Sequence, residues 1–323
     1  EERNELLVEI AALKMRLKSL KELAGLSEDD SVEDTARANV QLRESLHRQQ
    51  LSLATAQSVV SGLLNREHAS PLGTPIHLGK DSAERRRTLA ALKDEKIRHA
   101  YEYLDARARF TAPPHGPRAA DERFENARGD FCCARYEVHE FAGARSVREV
   151  FDVLVAYLFN VQDAVSQRLG NRTERHNVDV VEGSVAHYHF LTTEHGVPIE
   201  FHGAFFLHFF DSLAGAAAQG GPCGVVVVES VESDALYPYS PRERLRKDVT
   251  SIKMLTPHYR ASADGRGAQE LVVTLAQGKF LKLHHAECPA ATPDAVEKIR
   301  ASIAGWGDVM MSTMRESLRR RHR

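Results

Sequence analysis

Residues 199–210 read IEFHGAFFLHFF, and the reading of this stretch decides the fold. Side chains alternate across a β-strand, so Ile199, Phe201, Gly203, Phe205, Leu207 and Phe209 share one face. That face is apolar and aromatic. The opposite face carries Glu200, His202 and His208 beside Phe206 and Phe210, a mixture that suits a half-wet surface. An oily sheet face needs a cover, and the end of the chain supplies one. Val296, Ile299, Ile303, Trp306, Met310, Met314 and Leu318 recur in steps of three and four, a continuous apolar stripe. Residues 292–318 are therefore predicted to form one long helix, with Thr292 as N-cap and Pro293 at its first position.

Outward from this stretch, strands are predicted near 130–141, 175–184, 185–193, 223–231, 245–256 and 271–283, and helices near 83–110 and 147–169. Glu194-His195-Gly196, the Gly-rich residues 215–224 and residues 263–267 read as turns between strands. Strands that follow one another without interleaved helices predict an antiparallel sheet in an α+β domain. The N-terminal part is different in kind. Leu6, Ile10, Leu13, Leu17, Leu20 and Ala24 form one heptad seam, and Leu42, Leu46, Gln49, Leu53, Ala56, Val60 and Leu63 form another. Pro71, Gly73, Pro75 and Gly79 then break all periodicity. The expected organisation is an all-α coiled-coil region of two helices over residues 1–65, a linker over 66–82 and a ligand-binding domain over 83–323. Narrow seams favour a homo- or heterodimer over a hairpin within one chain.

Three stretches carry a family resemblance: QLRESLHRQQLSLATAQSVVSGLL at 41–64, GVPIEFHGAFFLHFF at 196–210 and DVTSIKMLTP at 248–257. With the closing helix, they resemble the START-like, helix-grip domains, and more narrowly the oomycete proteins that join a basic-leucine-zipper-like coiled coil to such a domain. The resemblance implies a curved antiparallel sheet gripping a long C-terminal helix, with a lipid or other apolar small molecule held between them. Phe201, Phe205, Leu207, Phe209, Val227 and Met254 are the expected floor of that cavity, and Trp306, Met310 and Met314 its roof. Methionines adapt to irregular space, and Gly305 and Gly307 flanking Trp306 weaken the roof helix locally. Two features depart from the family pattern. Only Glu1, Glu2 and Arg3 precede the first zipper, with no basic segment, and residues 213–221 are unusually rich in Ala and Gly.

Composition narrows the remaining classes. At 323 residues and 42% apolar content the chain can bury a large core, and a net charge of −2 gives no global attraction for nucleic acid or acidic membranes. Nucleic-acid binding is not expected from this segment alone. No apolar run approaches bilayer length. Four scattered cysteines make no disulfide framework and suggest a reducing compartment, cytoplasm or nucleus. The chain opens at Glu1 without methionine, which reads as a fragment. His187, His189, His202 and His208 fall on neighbouring strands, but no cysteine or carboxylate joins them at ligand spacing, so no metal is expected. No GxSxG, HExxH or phosphate-cradling glycine loop is present, so neither catalysis nor a cofactor is expected. The competing reading is a zipper-type transcription regulator or scaffold whose START-like domain acts as sensor or interaction module.

Overall fold

The computed structural model of the chain describes residues 9–16, 18–19, 72–109, 118–176, 180–181, 183–214, 218, 220–261, 269–303 and 305–322. The chain divides into two units, Glu1–Thr55 and Ala56–Arg323. In the first, residues 9–16 are helical. Ile10 and Leu13, the described residues of the first seam, are 48 and 59% exposed, and Met15 is 70% exposed. The second seam lies outside the described residues.

The second unit is built on one large sheet. Its strands are β2 (Arg118–Glu125), β3 (Phe131–Ala142), β4 (Arg172–His176), β5 (Val180–Val181), β6 (Val185–Glu194), β7 (Val197–Phe210), β8 (Cys223–Ser230), β10 (Leu245–Ala261) and β11 (Gln269–Leu283). The spatial order is β2-β3-β11-β10-β8-β7-β6-β4, with β5 also on β6. Every ladder along that order is antiparallel, as predicted. Its two outermost strands read RAADERFE and RTERH and are dense in charge. A separate two-stranded piece joins β1 (His77–Leu78) in parallel to β9 (Ser233–Asp234).

Among the described residues five helices pack on this sheet: α1 (Ser82–Arg109), α2 (Val147–Phe159), α3 (Val161–Leu169), α4 (Pro293–Ala301) and α5 (Gly305–Arg321). On one face, Val150, Leu154 and Leu158 of α2 and Met310, Met314 and Leu318 of α5 join Phe201, Phe205, Leu207, Val226, Val228 and Leu275 in one buried cluster. This is the helix-over-sheet arrangement that residues 199–210 and the C-terminal stripe predicted. The opposite face is not half-wet. Leu89, Ile97 and Leu104 of α1 cover it and bury Phe206, Val225, Val227, Ile252, Met254 and Phe280. The sheet is thus the middle of three layers.

Three further differences have local causes. The terminal helix is two, because Ser302 leaves helical geometry and closes α4, and the poor helix formers Gly305 and Gly307 open α5. The helix at 147–169 also breaks. Asn160 turns out of the helix, and Arg175 donates to the freed Phe159 carbonyl at 2.6 Å. The stretch read as linker belongs to the folded unit from Leu72 onward. Leu72 and Ile76 are fully buried, and Lys96 of α1 donates to the Leu72 carbonyl at 3.1 Å.

Candidate functional site

A cavity lies between the sheet and the α2–α3–α5 layer. Its floor is formed by Phe190, Phe201, Phe205 and Val228, one wall by Tyr157, Leu158 and Val161, and its roof by Ile303, Trp306, Gly307 and Met310. Its volume is about 120 Å³, close to the roughly 150 Å³ that holds a benzene in an engineered apolar cavity. Local sequence builds the floor. Gly203 has no side chain, and a Cβ there would lie 2.5 Å from Phe201 Cζ, so the Phe201 ring folds over it. Phe201 then stacks on Phe190 of the next strand, ring centres 5.7 Å apart at 9°. Phe190 in turn meets Trp306 edge-on at 6.1 Å, joining floor to roof.

Of the expected ligand residues, the fold brings Phe201, Phe205, Trp306 and Met310 to the cavity. Leu207, Phe209 and Met314 lie on the same side in the surrounding packed cluster and do not line the space. Phe209 meets Phe151 at 5.3 Å. Val227 and Met254 correct the sequence reading, because they point to the other face and pack under α1. The physical reason is strand parity. Val226, Val228, Ser251 and Lys253 take the cavity side of β8 and β10, while Val227, Ile252 and Met254 take the covered side.

Sequence reasoning left the polar part of the site unassigned. Lys247, Lys253 and Lys279 line the cavity with Ser251 and Thr192, and among the described lining residues there is no carboxylate. Lys247 is 3.4 Å from Glu194. Lys279 is 2.8 Å from Glu137 Oε2, and Arg135 holds the other oxygen of that carboxylate at 2.6 Å. Gln277 donates to Glu137 as well, at 2.8 Å. Burial pushes the Glu137 carboxyl up, but Lys279 and Arg135 outweigh it and hold the group below its ordinary value. Lys253 differs from its neighbours. It is 4% exposed, its ammonium donates to the Ser251 hydroxyl at 2.6 Å, and among the described residues no carboxylate lies within ion-pair distance. Burial, with the nearby Lys279 charge, brings its pKa down to about 7, against a smaller opposing pull from Glu137. In the roof, the Trp306 indole Nε1 is buried with no acceptor among the described residues. A methyl at Gly307 would overlap the Lys279 ammonium, so glycine lets that lysine run beneath α5.

A second polar cluster sits under α1, on the far side of the sheet. Asp234 takes a bidentate hydrogen bond from Arg85 at 2.7 and 2.9 Å and lies 3.7 Å from His187 and 3.8 Å from His202. Glu200 lies 2.6 Å from His202, 3.6 Å from His189 and 2.9 Å from Arg244. The fold therefore brings to these histidines the carboxylates that sequence spacing did not. Each carboxylate already has an arginine, which supplies the compensating positive charge. Burial pushes Asp234 up, but hydrogen bonds from His202 and Arg85 prevail and hold its carboxyl far below the usual range. His208 stands apart, edge-on to Phe210 at 4.2 Å. The four cysteines are buried and unbridged, and burial pushes the Cys132 thiol up to about 11. No described helix is long and apolar enough to cross a membrane.

Neither a known protein family nor a curated protein matches this sequence. Solved structures do. A STAR-related lipid transfer protein fragment from Xanthomonas axonopodis is 14% identical, with 62% of this chain and 98% of that one covered at a TM-score of 0.34. Human STARD10 is 12% identical, covering 78% of this chain and 83% of its own at 0.34. The Zhui aromatase/cyclase from Streptomyces sp. R1128 is 14% identical, covering 59% and 96% at 0.32. Similarity at this level says nothing about the ligand or activity of this chain.

Proposed function

We propose that the Ala56–Arg323 unit binds an apolar small molecule, a lipid or a compound of similar character, in the cavity between sheet and C-terminal helix. The observation that carries this reading is the space itself, walled by Phe201, Phe205, Trp306 and Met310 where solid packing would otherwise be expected. Its volume fits a ring or a short chain, or the end of a longer acyl chain passing the break between α4 and α5. Each buried methylene stabilises the complex by about 0.8 kcal/mol, so affinity rises with chain length until the space is full. Association and ordering costs offset part of this gain. We assign the site to binding and not to turnover. Among its described lining residues there is no carboxylate, histidine or cysteine to pair with the three lysines and Tyr157 as an acid–base couple.

The Glu1–Thr55 unit contributes association through a coiled coil in this proposal. The exposed Ile10 and Leu13, three residues apart as two successive seam positions are, lie on helical residues 9–16 and support that part. Dimerisation would couple two binding domains. Native mass spectrometry of the full chain, followed by extraction of co-purified small molecules, tests both halves. The expected result is a dimer carrying an apolar ligand on each copy. A bare protein that also gains no thermal stability from any member of a C6–C12 alcohol series would reject the ligand reading. A strict monomer at high concentration would reject the coiled-coil part.

A further inference from the structure

The cavity has a chemical bias that goes beyond apolarity. Its described lining holds three ammonium groups and no carboxylate. Two of the three are compensated from behind the wall, Lys247 by Glu194 at 3.4 Å and Lys279 by Glu137 at 2.8 Å. Lys253 is not. It sits at the sheet floor with Ser251 as its hydrogen-bond partner, nine-tenths buried, in a medium where an isolated charge is costly. A protein maintains such a group at a cost to stability unless something else supplies the counter-charge. Glu137, already held by Lys279 and Arg135, pulls on Lys253 only from beyond ion-pair distance.

We infer that Lys253 is the head-group subsite of the cavity, and that the ligand is a small or single-chain amphiphile ending in an anionic oxygen group, a carboxylate or a monophosphate ester. This assignment deepens the ligand-binding reading and rests on it. One oxygen of the anion takes a hydrogen bond from the Lys253 ammonium, which Ser251 already orients on β10. The apolar part then lies along Phe201 and Phe205 toward Met310. Trp306 offers a second donor to such a group, since its indole N–H is buried without an acceptor among the described residues. Charge-assisted hydrogen bonds of this kind are roughly twice as strong as neutral ones. The selectivity arises because a neutral head would leave the buried amine uncompensated, whereas an anion completes an ion pair. The depressed pKa of Lys253 fits the same picture, since it marks a buried amine that lacks a nearby carboxylate.

Isothermal titration of the full chain separates the possibilities. Octanoate and hexyl phosphate are the anionic probes, octanamide and octanol the neutral ones of similar length. Wild-type protein is expected to bind at least one anion at least tenfold more tightly than both neutral probes, and the tighter of the two anions identifies the head group. Lys253→Met keeps the apolar volume and removes the charge. It is expected to lose that preference while binding octanol at least as well as wild type. Octanol and octanamide binding as tightly as octanoate and hexyl phosphate would overturn the anion assignment and leave the apolar-ligand reading standing. Saturation by none of the four probes would overturn both. The wild-type comparison decides the question without the variant, should Lys253→Met fail to fold.

Discussion

At the scale of single residues, Lys253 ties stability to pH. In the unfolded chain its ammonium persists to about pH 10.5, and in the fold only to about pH 7. Between those values the unfolded state holds a proton that the folded state lacks, so this residue makes stability rise with pH across that window. Below pH 7 the fold carries a buried charge and the penalty is complete. Lys279 and Glu137 face the same amine from β11 and β3, and their charges oppose one another there. Lys253→Met should therefore raise the unfolding free energy at pH 6.5 by about 1–3 kcal/mol, and flatten the rise between pH 7 and 10. Urea unfolding of both proteins at pH 6.5, 8 and 9.5 checks this, and a variant less stable than wild type at pH 6.5 contradicts it. Glycines act at the same scale. Gly224 receives the Phe151 ring of α2, and a Cβ there would lie 2.5 Å from Phe151 Cδ2. Gly224→Val should force helix and sheet apart and lower stability by about 1–3 kcal/mol, read as a drop in thermal midpoint.

At the scale of elements, the break between α4 and α5 sets how the cavity is roofed. Gly305 has room for a side chain, since a Cβ would meet Leu169 at an ordinary 3.7 Å. Gly305→Ala should thus stabilise the fold by roughly 0.5–1 kcal/mol. Thermal unfolding of the variant, read as a rise in midpoint, checks this. Elements were also where the sequence was most and least readable. Residues 199–210 and the C-terminal stripe announced their pairing because each exposes one unmistakable apolar face. DVTSIKMLTP did not. Ile252 and Met254 alternate with Ser251 and Lys253, and with one cover in mind the apolar pair reads as inward. The parity was visible, but the side facing the cavity was not. What inverted it was α1, whose 28 residues are so charged that only Leu89, Ile97, Ala100 and Leu104 betray a buried edge. For the same reason β2 escaped notice: its RAADERFE has no apolar alternation, and backbone pairing to β3 holds it in place.

At the scale of the whole molecule, the sheet is stable only between two helical layers. Removing α1 would uncover Phe206, Val225, Val227, Ile252 and Phe280 together, a continuous apolar surface. A chain beginning at residue 111 should therefore aggregate or bind the dye ANS strongly, while one beginning at residue 71 should remain monodisperse. Light scattering of the two truncations distinguishes them, and a soluble, dye-silent shorter form would contradict the three-layer account. The flanks of the sheet carry a different consequence. RAADERFE and RTERH close the ladder on either side with Arg, Asp, Glu and His along backbone that, among the described residues, has no further strand to bond. Such charge discourages a neighbouring copy from zipping on and propagating a fibre. Crowded solutions of this protein should accordingly stay clear of amyloid-type growth, even though one of its longest strands is also one of its greasiest.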